Sequence, residues 1–242
     1  GTVTLGDSGG TLAHYSLASE AGVLRPAQVR LPEDVWRLDP GPHAGADVVF
    51  ITLPAFADAL RPLVDWRESQ GLSSVVVNVL GIYDYWGDGR PDPRAIHAFL
   101  ADAYATWQPR PTYVVLVGDG SFDPKGYQHS PLHNVIPPYL ANVDPWAGET
   151  SADNRYACVH GDDPLPDLLI GRLPGQSPEE IRVMVEKTLV YERRPAPGGW
   201  NANVALVADD ADASGDFPAS SEASVPYLTL PFTATRHYCL GS

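Results

Sequence analysis

Carboxylate side chains are grouped at two places in the sequence where they could bind a metal ion. Asp119 lies just after the apolar run Tyr113–Val117, and Asp163 and Asp167 lie in a second segment stiffened by prolines. Calcium takes roughly six to eight oxygen ligands, which are carboxylates and backbone carbonyls. If the second segment folds back onto the end of the first, three carboxylates meet, and without a cation such a cluster costs stability. A calcium site is one interpretation of this pattern, and a solvated acidic turn is the other.

The two cysteines raise the possibility of a different chemistry, nucleophilic attack by a thiolate. Cys158 and His160 lie two residues apart, and so do His237 and Cys239. In a strand, side chains at this spacing share a face but stand about 7 Å apart, which is beyond hydrogen-bond reach. We therefore interpret both cysteines as small buried side chains rather than as nucleophiles.

Histidine metal ligands and nucleotide binding are both disfavoured by the sequence. His129 and His133 have the four-residue spacing of a helical metal pair, but Pro131 between them argues against a helix. No glycine-rich phosphate-binding fingerprint follows the first strand or the third. The acidic segments remain the candidate site.

Composition and charge exclude several classes of protein. The 242 residues carry 16 Lys and Arg against 30 Asp and Glu, a formal charge of −14 without a basic cluster, which disfavours nucleic-acid binding. A hydrophobic fraction of 44% is too high for a disordered chain. No apolar run approaches the roughly 18 residues that a membrane-spanning helix needs. The length suits one large domain or two small ones.

Apolar runs that alternate with helical patterns predict an α/β fold with a parallel sheet flanked by helices. Helices are predicted from about residue 56 up to Gly71, which closes the first, from 92 to 107 and from 177 to 190, the last two beginning at capping residues. The runs that read as buried strands are Val48–Ile51, Val75–Val77, Tyr113–Val117, Asp167–Gly171 and Val204–Val207.

The order of these elements divides the chain into three parts. Residues 1–44, in which Thr11–Leu17 and Gln28–Leu31 read as short strands, are predicted to be the tail of a preceding β-rich segment. Residues 45–195 are predicted to form an α/β subdomain, and residues 200–242 the start of a second one. Both ends of the chain suggest a piece excised from a longer protein.

Six sequence blocks in order, between about Ala46 and about Val207, resemble the gingipain family of cysteine peptidases. The resemblance implies a caspase-like, gingipain-like α/β fold of two side-by-side subdomains. It also implies an extracellular or cell-surface protein that cleaves peptide and protein substrates by thiolate attack. The blocks are Val49-Phe50-Ile51-Thr52-x-Pro54, Leu63-Val64-Asp65-Trp66-Arg67-x-x-x-Gly71-Leu72, Pro91-Asp92-Pro93-Arg94-Ala95-Ile96, Tyr113-Val114-Val115-Leu116-Val117-Gly118-Asp119, Ile170-Gly171-Arg172-Leu173-Pro174 and Lys187-x-x-x-Tyr191-Glu192-Arg193.

The resemblance implies that the catalytic pair lies outside this chain. In the gingipain family the catalytic His lies in a Gly-His-Gly segment of the second subdomain, and the nucleophilic Cys follows it. This chain has no Gly-His-Gly segment, and neither Cys158 nor Cys239 stands at the position of the nucleophile. No catalytic residue is therefore assigned here. The alternatives are a non-catalytic gingipain-like module for protein export or interaction, and a flavodoxin-like ligand-binding module.

The resemblance also implies a calcium site. Matched onto this sequence, its carboxylate ligands are Asp119, Asp163 and Asp167, and its carbonyl ligands belong to His160 and Leu165. The shorter Asp stands at position 167, where the family often has Glu. We therefore expect calcium to link the end of the third strand to the loop before the fourth.

Overall fold

The computed structural model describes residues 30–38, 44–123, 127–129 and 134–239. Within this part of the chain the strands are β1 Val48–Thr52, β2 Ser74–Asn78, β3 Tyr113–Val117, β4 Leu140–Asp144, β5 Gly148–Ser151, β6 Leu169–Leu173, β7 Asn203–Ala208 and β8 Thr233–Tyr238. The central sheet has four parallel strands in the order β2-β1-β3-β6. The predicted parallel α/β sheet is therefore confirmed.

Helices cover both faces of the central sheet. The α-helices of the described residues are α1 Ala57–Ser69, α2 Val79–Trp86, α3 Pro93–Thr106, α4 Pro178–Arg193 and α5 Phe217–Glu222. Helices α1 and α4 pack together in one apolar core, and α2 and α3 pack together in the other. The first four helices and the sheet between them therefore form three layers.

Strand β1 lies in the middle of this arrangement because its sequence is apolar on both faces. Its five residues are all buried, as parallel strands covered on both sides require. Phe50 points into the core beneath α1 and α4, whereas Ile51 points into the core beneath α2 and α3. Alternate residues of one strand thus hold the two layers of helices together.

Asp92 and Ser177, which were predicted to cap helices, do cap the amino ends of α3 and α4. The Asp92 carboxylate accepts a hydrogen bond of 2.9 Å from the Arg94 N–H, with Pro93 as the first helical residue of α3. The Ser177 hydroxyl accepts a bond of 3.2 Å from the Glu180 N–H at the start of α4. These side chains use backbone N–H groups that have no partner inside the helix, so they fix where each helix begins.

Helix α2 and the β4–β5 hairpin were not predicted from the sequence. The residues of α2 directly continue the apolar run of β2, and periodicity alone does not separate a buried strand from a buried helix. The break falls at Asn78, whose side chain caps α2 by accepting a bond of 3.2 Å from the Leu80 N–H. The hairpin lies within the segment predicted to be a long loop, and its strands pair only with each other in the described residues.

Residues 30–38, which were assigned to a preceding segment, pack against the subdomain. Val35 is only 4% exposed and belongs to the core beneath α2 and α3. Its carbonyl accepts a bond of 2.9 Å from the Asn78 N–H at the end of β2. Arg30 and Leu31, the described end of the predicted strand Gln28–Leu31, are not in a strand, and Thr11–Leu17 lies outside the described residues.

The elements after α4 differ from the rest in burial. Strands β7 and β8 pair in parallel, and α5 packs on β7. The last buried residue in the described part of the chain is Leu189, so β7, α5 and β8 contribute none. The division into two subdomains stays a prediction.

No helix among the described residues is long and apolar enough to cross a membrane.

Candidate functional site

Buried polar side chains collect at the carboxyl edge of the central sheet, where open α/β sheets bind their ligands. They are Thr52, Asn78 and Ser121, each at most 5% exposed. Each of them has a hydrogen-bond partner: the Thr52 hydroxyl donates to the Val117 carbonyl at 3.1 Å, and the Asn78 amide donates to the Asp34 carbonyl at 3.0 Å. The Ser121 hydroxyl accepts a bond from the Asp123 N–H at 3.1 Å. These three side chains therefore hold the backbone at the carboxyl edge of the sheet through hydrogen bonds.

Asp119 connects three segments at this edge. Its N–H donates to the Gly175 carbonyl at 3.0 Å, and its own carbonyl accepts bonds from the N–H groups of Val135 and Ile136 at 2.9 and 3.0 Å. One carboxylate oxygen accepts the Gly120 N–H at 2.9 Å, and the other accepts the Gln176 side-chain amide at 3.1 Å. The carboxylate therefore faces the start of α4.

Arg172 is a positively charged residue at this edge to which the sequence pattern assigned no role of its own. Its side chain is 15% exposed and forms a 2.7 Å ion pair with Asp153. The guanidinium also donates to the carbonyls of Gly118 and Ile136 at 2.8 Å, and to that of Pro137 at 3.3 Å. A charged residue inside the apolar strand run Leu169–Leu173 was the signal that could have found it.

The structure does not bring Asp119 together with the other predicted calcium ligands. In the parallel pairing of β3 with β6, Tyr113 lies opposite Leu169 and Val117 opposite Leu173. Asp119 follows the end of β3, whereas Asp167 precedes the start of β6. With both strands running the same way, they lie at opposite edges of the sheet, about 26 Å apart along the strand direction.

The expected link between the two strands through one shared ion is therefore wrong. It required the loop before β6 to fold back onto the carboxyl end of β3, but the loop leads into the amino end of β6. The five predicted ligands do not fit one ion. Among the described residues, no group of three or more His, Cys, Asp or Glu side chains could hold a metal.

The other four predicted ligands lie in one loop, residues 160–167, at the amino edge. One oxygen of Asp167 accepts the N–H groups of Val159 and His160, both at 2.8 Å. One oxygen of Asp163 accepts the Leu165 N–H at 2.9 Å. These carboxylates order the loop by binding its own backbone, which is the behaviour expected of an acidic turn.

Among the described residues, neither cysteine forms a nucleophilic pair with a histidine. Burial raises the pKa of the Cys158 thiol, and its sulfur lies 3.3 Å from the Asn154 carbonyl. The His97 ring contacts the Cys158 carbonyl oxygen at 2.9 Å, and not its sulfur. A thiolate nucleophile needs a lowered pKa or an adjacent base, and the described residues provide neither for Cys158.

The structure also shows the surroundings of the two cysteines and of the histidines that the sequence offered as candidate ligands. Cys158 is partly buried, but Cys239 is exposed, so the prediction that both are buried is wrong for Cys239. The His160 ring stacks on Tyr104 at 6.1 Å between ring centres. His129 has a left-handed backbone with φ of 55°, which agrees with the argument against a helix there. His133 lies outside the described residues.

Sequence comparison identifies relatives of this chain. Gingipain R2 and gingipain R1 from Porphyromonas gingivalis are each 25% identical to it over 146 residues. That stretch is 60% of this chain but only 17% of gingipain R2 and 12% of gingipain R1. The chain therefore spans less than a fifth of the length of these relatives.

Solved structures share the fold. The crystal structure of the Arg-specific cysteine proteinase gingipain R (RGPB) matches 82% of this chain and 42% of its own length, with a TM-score of 0.58 and 22% identity. Dimeric latent PorU from P. gingivalis matches 64% of this chain and 16% of its own, with a TM-score of 0.53 and 22% identity. These similarities confirm the predicted gingipain-like, caspase-like α/β fold.

The sequence profile of peptidase family C25 covers residues 42–239, most of the chain. The match includes the central sheet, its helices and the β7–β8 pair, in the order that the six sequence blocks predicted. This chain therefore belongs to peptidase family C25, a family of cysteine peptidases.

Proposed function

We propose that this chain is the scaffold part of a gingipain-like cysteine endopeptidase whose catalytic Cys and His lie in polypeptide that follows Ser242. Membership of peptidase family C25 carries this proposal. It is supported by the geometry at Cys158, whose thiol pKa is raised and whose sulfur has no imidazole partner among the described residues. In the proposed reaction, a thiolate activated by an adjacent His attacks the peptide carbonyl of a polypeptide substrate.

The proposed role of this part is to hold the second subdomain in place. The parallel sheet and the four helices on its two faces form two apolar cores, one on each face. The β7–β8 pair, in contrast, has no buried residue, and parallel strands are normally covered on both faces. Further residues of the second subdomain would provide that cover and carry the reacting groups.

Peptide hydrolysis by a protein extended beyond Ser242 tests the proposal. We expect the extended protein to cleave a fluorogenic casein substrate, and iodoacetamide to abolish that cleavage by alkylating the nucleophile. The matched controls are Cys158→Ser and Cys239→Ser in the same extended protein, which should retain full activity and full sensitivity to iodoacetamide. Loss of activity in either variant, or no thiol-dependent hydrolysis at all, contradicts the proposal.

The second candidate is a non-catalytic gingipain-like module that serves protein export or interaction. The observation that favours it is the lack of a Cys–His pair in the described residues. An extended protein without thiol-dependent hydrolysis would support this alternative.

We propose an extracellular or cell-surface location for either function. Fractionation of the producing cells followed by immunoblotting tests this location.

We propose that calcium binds to the loop of residues 160–167 without a contribution from Asp119. Asp163 and Asp167 each retain one carboxylate oxygen for which the described residues show no hydrogen bond. We expect calcium to raise the melting temperature by about 2–4 °C in the native chain but not in Asp163→Asn. Asp119→Asn is the matched control and should keep the full shift. A shift lost in Asp119→Asn, or absent from the native chain, overturns this proposal.

A further inference from the structure

The outward face of α4 carries apolar side chains that the described part of the chain does not bury. The inward residues of this helix, Ile181, Val185 and Leu189, belong to one of the two apolar cores. Val183 and Val190 lie on the opposite side of the helix, and each is 56% exposed. A surface helix normally carries polar residues on its outward face, so this apolar stripe indicates a binding surface.

Two cavities join over this face into one groove. A cavity of about 430 Å³ lies between α1 and α4, and one of about 550 Å³ lies between α4 and residues 196–200. Glu186, Val190 and Arg194 line both of them. We call this surface the α4 groove and define it by Pro62, Val183, Lys187, Val190, Arg194 and Trp200.

The walls of the α4 groove are held in place by contacts within the chain. The Tyr191 and Trp200 rings meet edge to face with their centres 6.1 Å apart, and the Trp200 indole N–H donates to the Ala196 carbonyl at 3.1 Å. On the other side, the Arg67 guanidinium of α1 pairs with Glu192 of α4 at 2.6 Å. A groove that is formed before binding loses little conformational entropy when a partner enters it.

The rim of the α4 groove is positively charged although the chain as a whole is acidic. The formal charge of the chain is −14, but four of its 16 Lys and Arg residues line the two cavities, namely Arg182, Lys187, Arg193 and Arg194. Arg182 pairs with Glu179, whereas Lys187 and Arg194 form no ion pair among the described residues. Glu186 is the one carboxylate among the described residues that line the cavities. The groove therefore attracts negative charge.

The spacing of these side chains suits a helical partner. Val183 and Val190 lie seven residues apart, which is two helical turns or about 10.5 Å. Lys187 and Arg194 each follow a valine by four residues, so cations and apolar side chains share one face. A second helix laid along α4 presents its own apolar residues at matching intervals. An extended strand gains no main-chain hydrogen bonds here, because the backbone groups of α4 are paired within the helix.

We propose that the α4 groove binds an acidic amphipathic helix of a partner polypeptide. Apolar residues of that helix contact Val183 and Val190, and its carboxylates pair with Lys187 and Arg194. The proposal is independent of the proposed peptidase activity, because the groove lies on the side of α4 that faces away from the sheet. A further helix in the same layer as α4 would pack beside it and leave this outer face open. The groove therefore attaches the protein to a partner.

Fluorescence anisotropy with the 242-residue chain tests the proposal. The probe is a fluorescein-labelled peptide made of two Glu-Ala-Leu-Leu-Glu-Ala-Leu repeats, and the matched peptide has Lys in place of each Glu. We expect the Glu peptide to bind at least about tenfold more tightly than the Lys peptide, and its affinity to fall with added salt. Val190→Ser should weaken the Glu peptide about fivefold, because it removes apolar contact area.

Reversing the charge of the groove should reverse its preference. In the double variant Lys187→Glu and Arg194→Glu, we expect the Lys peptide to bind more tightly than the Glu peptide. Both positions are exposed, so the double variant should keep the melting temperature of the native chain. An unchanged preference for the Glu peptide would show that these two cations do not select the partner.

Two control variants separate the α4 groove from general effects on the surface. Val207→Ser removes an exposed valine on β7, and Arg90→Gln removes an exposed charge between α2 and α3. Neither residue lines the groove, so both variants should bind the Glu peptide as the native chain does.

A membrane with anionic lipids offers the same charge as the Glu peptide, but the net charge of −14 opposes its approach to the chain. Binding to phosphatidylserine vesicles without binding of the Glu peptide would assign the groove to a membrane and overturn the proposal. No binding of the Glu peptide at millimolar protein, equal binding of both peptides, or equal losses in groove and control variants would also overturn it. The peptidase proposal is tested separately, by hydrolysis with the extended protein.

Discussion

Arg172 organises the carboxyl edge through hydrogen bonds rather than through apolar contact. Its guanidinium holds the carbonyls of the segments that follow β3, and its charge is paired with Asp153. A planar group with several donors suits this task, which the single charge of a Lys does not reproduce. The conformation of the segments that follow β3 therefore depends on one side chain of β6.

We expect Arg172→Met to lower the free energy of unfolding by about 3 kcal/mol, because it leaves Asp153 and several carbonyls without their partner. Urea denaturation of the whole chain measures this. The matched control is Arg94→Met, because the Arg94 side chain is 80% exposed and pairs with the neighbouring Asp92; this variant should cost less than about 1 kcal/mol. Similar losses in both variants would argue against a special role of Arg172.

Glu192 makes part of the stability depend on pH. The Arg67 guanidinium, which donates two hydrogen bonds of 2.6 and 2.8 Å, holds the pKa of the Glu192 carboxyl below its usual value of 4.5. A carboxyl with a lowered folded pKa contributes stability above its unfolded pKa. That contribution is lost as the pH falls through the lower folded value.

We therefore expect Glu192→Gln to be less stable than the native chain by about 1 kcal/mol at pH 7. The difference should shrink as the pH falls below 4.5. Urea denaturation from pH 3 to pH 7 measures it, with the exposed Glu68→Gln as the matched control. A difference that is the same at every pH would rule out the ionised carboxylate as its source.

At the scale of elements, residues 30–38 and α2 depend on each other. The Asp84 carboxylate of α2 accepts bonds of 2.7 and 3.0 Å from Arg30 and of 2.7 Å from the Glu33 N–H. Gly81 of α2 lies against the backbone of Val35, where an added Cβ would come within 2.5 Å of the Val35 nitrogen. The close approach requires a residue without a side chain.

We expect Gly81→Ala to destabilise the chain by about 1–3 kcal/mol, although Ala normally favours a helix over Gly. The reason is that the new methyl group would displace the backbone of residues 30–38. Gly171→Ala is the matched control, since an added Cβ there meets no atom within 4 Å. Thermal unfolding compares the two variants, and a stabilised Gly81→Ala would show that residues 30–38 do not pack on α2.

At the scale of the whole molecule, stability is concentrated before residue 190. Both apolar cores consist of residues from Val35 to Leu189. Strands β7 and β8 lie outside these cores, and Val207 of β7 is 72% exposed. Hydrogen bonds at exposed positions open at a lower free energy than those in a core.

We expect amide hydrogen exchange of the full chain to show this difference. The amides of β1 and β3 should exchange only through global unfolding, whereas those of β7 and β8 should exchange at least about a hundredfold faster. Mass spectrometry of peptic fragments resolves the two regions. Equal protection would mean that the β7–β8 pair is held by contacts as strong as those of the central sheet.

The sequence determined the central strands, the helices between them and the caps at Asp92 and Ser177, because these follow from local apolar patterns and local hydrogen bonds. It did not separate α2 from β2, because an apolar run that continues past Asn78 carries no periodic signal of its own. Family membership also followed from the sequence, because it depends on the order of short local blocks.

Only the tertiary structure decided which carboxylates meet. Asp119 and Asp167 flank neighbouring strands, and the sequence leaves open whether the loop between those strands folds back. The parallel register of β3 with β6 puts one at each edge of the sheet. It also brought Arg172 to the segments that follow β3. Such contacts join residues far apart in the chain, and local patterns do not encode the distance between them.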